Sequence, residues 1–186
     1  MSKRAVFLDR DGVLTEPIEL GGHERPAWSL DELRIIPGVA GALNGLRAAG
    51  FLLVAITNQP DIARGQVSAA EVGRINGAMA DQLSLDAVYV CPHSGASCTC
   101  RKPLPGMIHQ AANDLHIDLS RSWLVGDRWV DIAAGDAAGV RSVLVDRPGS
   151  WAATSAGSPP PSLRPEAVVD TMVAAAGLIL AADEAP

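Results

Sequence analysis

Phe7-Leu8-Asp9-Arg10-Asp11-Gly12 is an apolar run that stops on two carboxylates and a glycine. With the residues before it, Ala5 to Asp9 reads as a buried strand ending in an acid. Two carboxylates one residue apart make a dense negative site. Magnesium prefers such oxygen ligands. With a metal bound, one carboxylate can attack phosphorus and form an aspartyl-phosphate. The other can protonate the leaving oxygen and then deprotonate water. A plain strand-end turn with two solvated aspartates fits Asp-x-Asp-Gly equally well.

Outward from this stretch, short β-rich runs alternate with helical patterns. Val39–Ala49 reads as a helix, stopped by Gly50. Phe51–Thr57 is a second strand. Ser68 is a candidate N-cap with Glu71 three residues on, a capping box that starts a helix running to about Leu83. Asp86–Val90 is a third strand, and Pro105–Leu115 a helix with proline at its start. Trp123–Gly126 is a fourth strand, followed by a helix to about Ala138 that Gly139 closes. Ser142–Asp146 is a fifth strand. This alternation predicts an α/β fold with a parallel sheet and helices on both faces. Ligands of such sheets lie beyond the carboxyl ends of the strands. Asp9, Thr57, Cys91 and Asp127 each follow a predicted strand and are therefore expected to converge. Residues 13–36 are mixed and long enough for a flap over the site. Residues 147–165 are rich in Pro, Ser, Gly and Ala and read as a loop. A last short strand and helix are expected over 168–182.

The polar groups at these strand ends suit a phosphorylated ligand. The Thr57 hydroxyl and the neighbouring amide of Asn58 can hold phosphate oxygens, although Thr-Asn is also ordinary turn chemistry. Lys102 can offset phosphate charge and the charge of a nucleophile. Arg101 can grip a second anionic group by its fork. Solvated surface cations are the plainer reading of that pair. Asp127 can complete a magnesium shell. Asp131 lies on the same side of the first helical turn and can hold a metal-bound water or Lys102. Both acids also suit a helix N-terminus without any ligand.

All three cysteines, Cys91, Cys98 and Cys100, fall in one ten-residue stretch with His93. Three thiolates and an imidazole make a closed tetrahedral zinc site, with no position left for water. Such zinc is structural. It would fold a Gly- and Ser-rich loop and fix Arg101 and Lys102 next to it. Three unrelated free thiols are the alternative.

The 186 residues and the formal charge of −6 bound the rest. The length suits one core and a single domain over 1–186. The negative balance argues against a nucleic-acid partner. The apolar run 172–182 is too short to span a bilayer, and the N-terminal stretch does not have the form of a signal peptide. A cytoplasmic monomer without nucleic-acid or membrane partners is expected.

The ordered set Phe7-Leu8-Asp9-Arg10-Asp11-Gly12-Val13, Thr57-Asn58-Gln59, Lys102 and Gly126-Asp127-x3-Asp131 resembles the four motifs of the haloacid dehalogenase superfamily of phosphatases. Thr57-Asn58-Gln59 with Ile62-Ala63-Arg64-Gly65, then Cys91-Pro92-His93, then Cys98-x-Cys100-Arg101-Lys102-Pro103, is similar to the D-glycero-D-manno-heptose 1,7-bisphosphate 7-phosphatase family. The histidinol-phosphate phosphatases are closely related. The resemblance covers about Ala5 to Asp146. It implies a Rossmann-like three-layer sandwich with a central parallel sheet, a minimal cap and a zinc-binding loop. It implies Asp9 as nucleophile and Asp11 as acid/base. Magnesium would be held by the Asp9 side chain, the Asp11 backbone carbonyl and Asp127. Thr57, Asn58 and Lys102 would hold the transferring phosphoryl group, with Arg101 on a distal phosphate of a sugar bisphosphate.

The chain also departs from the family pattern. Pro60-Asp61 stands where the heptose enzymes usually have Ser-Gly, which puts a negative charge beside an anionic substrate. Arg128 replaces a common lysine and is a candidate substrate contact. Segment 13–36 is longer than usual. Hydrolysis of the 7-phosphate is the first expectation and histidinol phosphate the second substrate. A non-catalytic phospholigand-binding relative and a phosphotransferase are the readings from other classes. Loss of Asp9, Asp11, Lys102 or Asp127 would mark the non-catalytic relative, and all four are present.

Overall fold

The computed structural model describes residues 3–95 and 98–183. Residues 96 and 97, inside the expected zinc loop, lie outside it. The elements are β1 (Arg4–Leu8), β2 (Ile18–Leu20), β3 (His23–Arg25), α1 (Val39–Ala48), β4 (Phe51–Asn58), α2 (Ala69–Leu83) and β5 (Ala87–Cys91). They continue with α3 (Gly106–Leu115), β6 (Trp123–Gly126), α4 (Trp129–Ala138), β7 (Arg141–Val145), β8 (Ala167–Val169) and α5 (Met172–Asp183).

Six strands form one sheet in the order β5-β4-β1-β6-β7-β8. Every neighbouring pair in it is parallel. The chain builds outward from β1 to β5, then crosses back and builds outward from β6 to β8. The order therefore reverses between β1 and β6, and a crevice opens at their carboxyl ends. Leu8 is paired with Ala55 on one side and Val125 on the other. Asp9 is thus the first residue to leave the sheet at that reversal, and its N–H still donates to the Val125 carbonyl at 2.9 Å.

Side chains alternate across the strands and divide the core in two. Val6 and Leu8 of β1 join Leu53, Val125 and Val143 under α1, α2 and α5. Ala5 and Phe7 join Val54, Ile56 and Leu124 under α3 and α4. Both faces of β1 are covered, which explains its unbroken apolar sequence. Element ends differ from expectation by a residue or two. The capping box of α2 forms only in part. Ser68 Oγ accepts from the Glu71 N–H at 3.1 Å, but the Glu71 carboxylate pairs with Arg74 at 3.0 Å. Among the described residues no helix is long and apolar enough to cross a membrane.

The expected flap contains a small hairpin of antiparallel β2 and β3. Gly21 and Gly22 turn it with φ of 61° and 79°, the pair of positive values a tight two-residue hairpin demands. Arg25 anchors its return by an ion pair to Glu32 at 2.6 Å and stacks over Trp28. The Arg25 hydrogen bond and the Trp28 N–H pull the Glu32 carboxyl down to about 2. Val13 and Leu14 at the root of the segment are buried in the core with α1.

Leu43 is the fully buried centre of α1. Leu43→Ala is expected to cost about 2–5 kcal/mol, read as a lower urea midpoint with an unchanged m-value.

Candidate active site

The reversal point gathers charges from four elements. Asp9 comes from the end of β1, Lys102 from the loop before α3, Asp127 from the end of β6 and Asp131 from α4. Lys102 Nζ lies 2.6 Å from Asp9 Oδ1 and 2.6 Å from Asp131 Oδ1. It also donates to the Ile56 carbonyl at 3.0 Å. Only 3% of Lys102 is exposed. Burial alone would pull its ammonium down, but Asp131 and Asp9 hold it above its ordinary value. Burial pushes the Asp9 carboxyl up, and Lys102 opposes that shift. Asp131 serves twice, because its Oδ2 accepts from the Arg128 N–H at 3.0 Å and starts α4.

Carboxylate oxygens of Asp9, Asp127 and Asp131 lie within 4.8 Å of one another and could hold a metal ion. Asp127 is the least balanced of the three. Its nearest cations are Arg147 at 3.9 Å and Arg128 at 4.0 Å. Burial first, then the charges of Asp9 and Asp131, push its carboxyl up to about 8. A cation between Asp9 and Asp127 would relieve that repulsion. Gly12 makes room for it. Its φ is +92°, and a Cβ there would stand 2.3 Å from Asp127 Oδ2.

Asp11 stands apart from this cluster, contrary to the dense two-aspartate site suggested by spacing alone. The Nε of Arg10 donates to both of its oxygens at 3.2 and 3.1 Å. Gln59 Nε2 donates to Oδ2 at 2.9 Å and Thr15 Oγ1 to Oδ1 at 3.3 Å. Arg10 itself is buried and reaches Asn76 of α2 at 2.8 Å. The carboxylate is held by three side chains, and Asp11 still lines the cavity.

Thr57 is buried at the floor of a cavity of ≈ 470 Å³ that Lys102, Arg101, Arg128 and the hairpin also line. The Asn58 side chain is otherwise engaged than expected. It accepts from the Lys102 N–H and donates to the Lys102 carbonyl, both at 3.1 Å. It clamps the lysine that enters the site. Arg101 donates to the His93 carbonyl at 3.0 Å. Arg128 reaches Glu24 of the hairpin at 3.5 Å.

Cys91, His93, Cys98 and Cys100 also meet and could hold a metal ion. A zinc tetrahedron with bonds of about 2.3 Å to sulfur and 2.0 Å to nitrogen requires S···S of about 3.8 Å and S···N of about 3.5 Å. Cys91 and Cys98 sulfurs are 3.8 Å apart. His93 Nδ1 is 3.6 Å from the Cys91 sulfur and 3.3 Å from that of Cys100. The four residues fit zinc.

Sequence reading gave no role to Arg10, Gln59, Glu24, Trp28 or Arg147. Arg10 and Gln59 sit inside the motifs but carry no chemistry of their own type. Arg147 follows β7, so the strand-end rule that singled out Asp127 also reaches it. Glu24 pairs with Arg147 at 3.1 Å, a contact across 123 residues that no spacing announces.

A Rossmann-type sheet with an aspartate at the end of its first strand, a buried lysine and two further acids at its reversal point is the arrangement of the haloacid dehalogenase class of phosphatases. A family model described as HAD-hydrolase-like matches residues 99–175. The D-glycero-beta-D-manno-heptose-1,7-bisphosphate 7-phosphatase of Haemophilus ducreyi is 40% identical over 162 residues, 80% of this chain and 86% of that protein. The enzyme of the same name from Escherichia coli K12 is 38% identical over 78% of this chain and 80% of its own length. The structure of D,D-heptose 1,7-bisphosphate phosphatase from B. bronchiseptica, complexed with magnesium and phosphate, superposes with a TM-score of 0.79 at 31% identity, covering 96% of this chain and 99% of that one. The chain belongs to this family of heptose bisphosphate phosphatases.

The charge on Asp127 sets a pH dependence. Folded, it keeps its proton up to about pH 8, against an ordinary value of 3.8. The folded state therefore binds more protons between those values, and stability falls as pH rises through them. The melting temperature of metal-free protein is expected to drop from pH 5 to pH 8, and Asp127→Asn to flatten the drop. A metal-free melting temperature that rises over this range would contradict the assignment.

Proposed function

We propose that the chain hydrolyses the 7-phosphate of D-glycero-β-D-manno-heptose 1,7-bisphosphate through an aspartyl-phosphate on Asp9. The chemistry rests on one observation, the Asp9–Lys102–Asp131 chain of ion pairs beside an undercompensated Asp127. The substrate rests on the names of the relatives. One Asp9 oxygen is held by Lys102, and the carboxylate attacks phosphorus. The ester P–O bond breaks, and the leaving oxygen takes its proton from Asp11. Water then attacks phosphorus, gives a proton back to Asp11 and frees phosphate from Asp9. Thr57 and Lys102 hold the phosphoryl oxygens, and Asn58 acts by holding Lys102. Arg101 and Arg128 line the cavity where the rest of a bisphosphate lies.

Magnesium, carried by Asp9, Asp127 and the Asp11 backbone carbonyl, would neutralise phosphoryl charge at the site. Zinc on Cys91, His93, Cys98 and Cys100 would hold the loop that delivers Arg101 and Lys102. The setting we propose is a single domain over 1–186, acting as a monomer on a small sugar bisphosphate. The free thiols of Cys91, Cys98 and Cys100 suit the reducing cytoplasm.

Phosphate release should be measured with magnesium on both anomers of the heptose bisphosphate and on histidinol phosphate. Fastest turnover of the β-anomer is expected, with at least about 10³-fold loss in Asp9→Asn. Faster turnover of histidinol phosphate would replace the substrate, and full activity of Asp9→Asn would remove the mechanism.

Zinc has its own test. Native protein should contain one zinc per chain by elemental analysis, and Cys98→Ser should lose it together with thermal stability. A Cys98→Ser protein with full zinc content would contradict the four-residue site.

A further inference from the structure

Gln59 follows the Thr57-Asn58 pair and is fully buried. Its backbone N–H donates to the Cys91 carbonyl at 2.8 Å. That bond seats it against the first residue of the cysteine–histidine cluster. Its side-chain nitrogen donates twice, to Asp11 Oδ2 at 2.9 Å and to Thr57 Oγ1 at 2.9 Å. The nitrogen end of the amide, and not the oxygen, faces Asp11. The other end of the amide, Oε1, is buried and takes no hydrogen bond among the described residues. Buried acceptors are nearly always paired. Gln59 leaves its acceptor unpaired and directs both donors at two groups of the reaction.

The Thr57 hydroxyl carries one proton and two lone pairs. Gln59 takes a lone pair, which leaves the hydroxyl proton for a phosphoryl oxygen. Arg10 and Thr15 also touch Asp11, but neither is bonded to a phosphoryl-binding side chain. Gln59 alone, among the described side chains, joins the two. We propose that Gln59 is a positioning residue that keeps the acid/base carboxylate of Asp11 in register with the phosphoryl-binding hydroxyl of Thr57 through a single amide nitrogen. This rests on the phosphatase reading above.

The consequence concerns the leaving group. A sugar alkoxide needs the Asp11 proton as its P–O bond breaks. p-Nitrophenolate is a weak base and leaves without one. Because kcat/KM reports the first phosphoryl transfer, a mispositioned Asp11 harms alkyl esters far more than aryl esters. Loss of the Thr57 hydroxyl harms both alike.

The test compares kcat/KM on heptose 1,7-bisphosphate and on p-nitrophenyl phosphate for wild type, Gln59→Met and Thr57→Val. Gln59→Met should lose about 100-fold on the sugar ester and at least tenfold less on the aryl ester. Thr57→Val should lose similar factors on both. Gln59→Glu keeps the shape of the side chain but turns a carboxylate toward Asp11. It should show the same ester-dependent deficit, which guards against a folding defect in Gln59→Met. Equal losses on the two esters, or losses under about threefold, overturn the proposal. A wild type that releases phosphate from neither ester overturns the phosphatase reading instead, a result separate from any behaviour of Gln59.

Discussion

Lys102 stands between Asp9 and Asp131, 2.6 Å from each, with Asp127 in the same cluster of acids. Three carboxylates converge where the sheet reverses, and one buried ammonium offsets their charge. Removing one partner from such a buried group leaves the others uncompensated, which costs far more than the pair contributes in net terms. The surrounding structure can be read as the means of placing that ammonium. Asn58 grips the lysine backbone on both sides. The cysteine–histidine cluster ends one residue before Arg101-Lys102. Its four side chains meet at zinc-like distances. A metal in that loop would therefore act on catalysis at a distance, by holding Lys102 in the crevice.

The same balance explains why two cations are not interchangeable in this site. Lys102 neutralises Asp9 and Asp131, and Asp127 remains with guanidinium groups only at 3.9 and 4.0 Å. Its raised proton affinity is the electrostatic signature of a place for a second positive charge. Gly12, in a backbone conformation with φ of +92°, leaves the space beside Asp127 that any side chain would fill. Gly126 does the same for Asp131, whose Cβ would stand 2.2 Å from an added methyl. The glycines of the two strand ends thus give the acids their positions.

Much of this was legible in the sequence because the strands are apolar runs of the right length, and each ends on a group with chemistry. Asp9, Thr57, Cys91 and Asp127 were found by that rule; the parallel sheet brought Asp9, Thr57 and Asp127 to one cavity, whereas Cys91, expected to converge with them, joins His93, Cys98 and Cys100 in a separate cluster. The rule fails where a side chain acts on another side chain. Nothing in the type or spacing of Arg10 or Gln59 shows that Asp11 turns toward them and away from Asp9. Asn58 was read as a phosphate donor because of its place beside Thr57; its partner 44 residues away is visible only in three dimensions. The capping box closed only in part for a similar reason, although α2 starts after Ser68 and ends at Leu83 as expected. Glu71 could close a capping box by sequence, but Arg74 one helical turn later takes its carboxylate.

Asp61 shows how a charge that looks misplaced in sequence can be satisfied in space. A carboxylate beside an anionic substrate should repel it. Here one oxygen receives Arg64 at 3.0 Å and the other receives the Trp28 indole N–H at 3.0 Å. The charge is neutralised within its own loop, and it ties the segment after β4 to the far end of the hairpin segment. The near end is tied by Glu24 to Arg147 and Arg128, the two arginines beside Asp127. Segment 13–36 is therefore held at two points beside the crevice, Trp28 through Asp61 and Glu24 through the two arginines near Asp127. A two-stranded hairpin is marginally stable by itself, so its place depends on such ties. Asp61 and segment 13–36 thus meet in one contact: the chain after the hairpin brings Trp28 to the cavity wall, and Asp61 is the acceptor for its indole N–H.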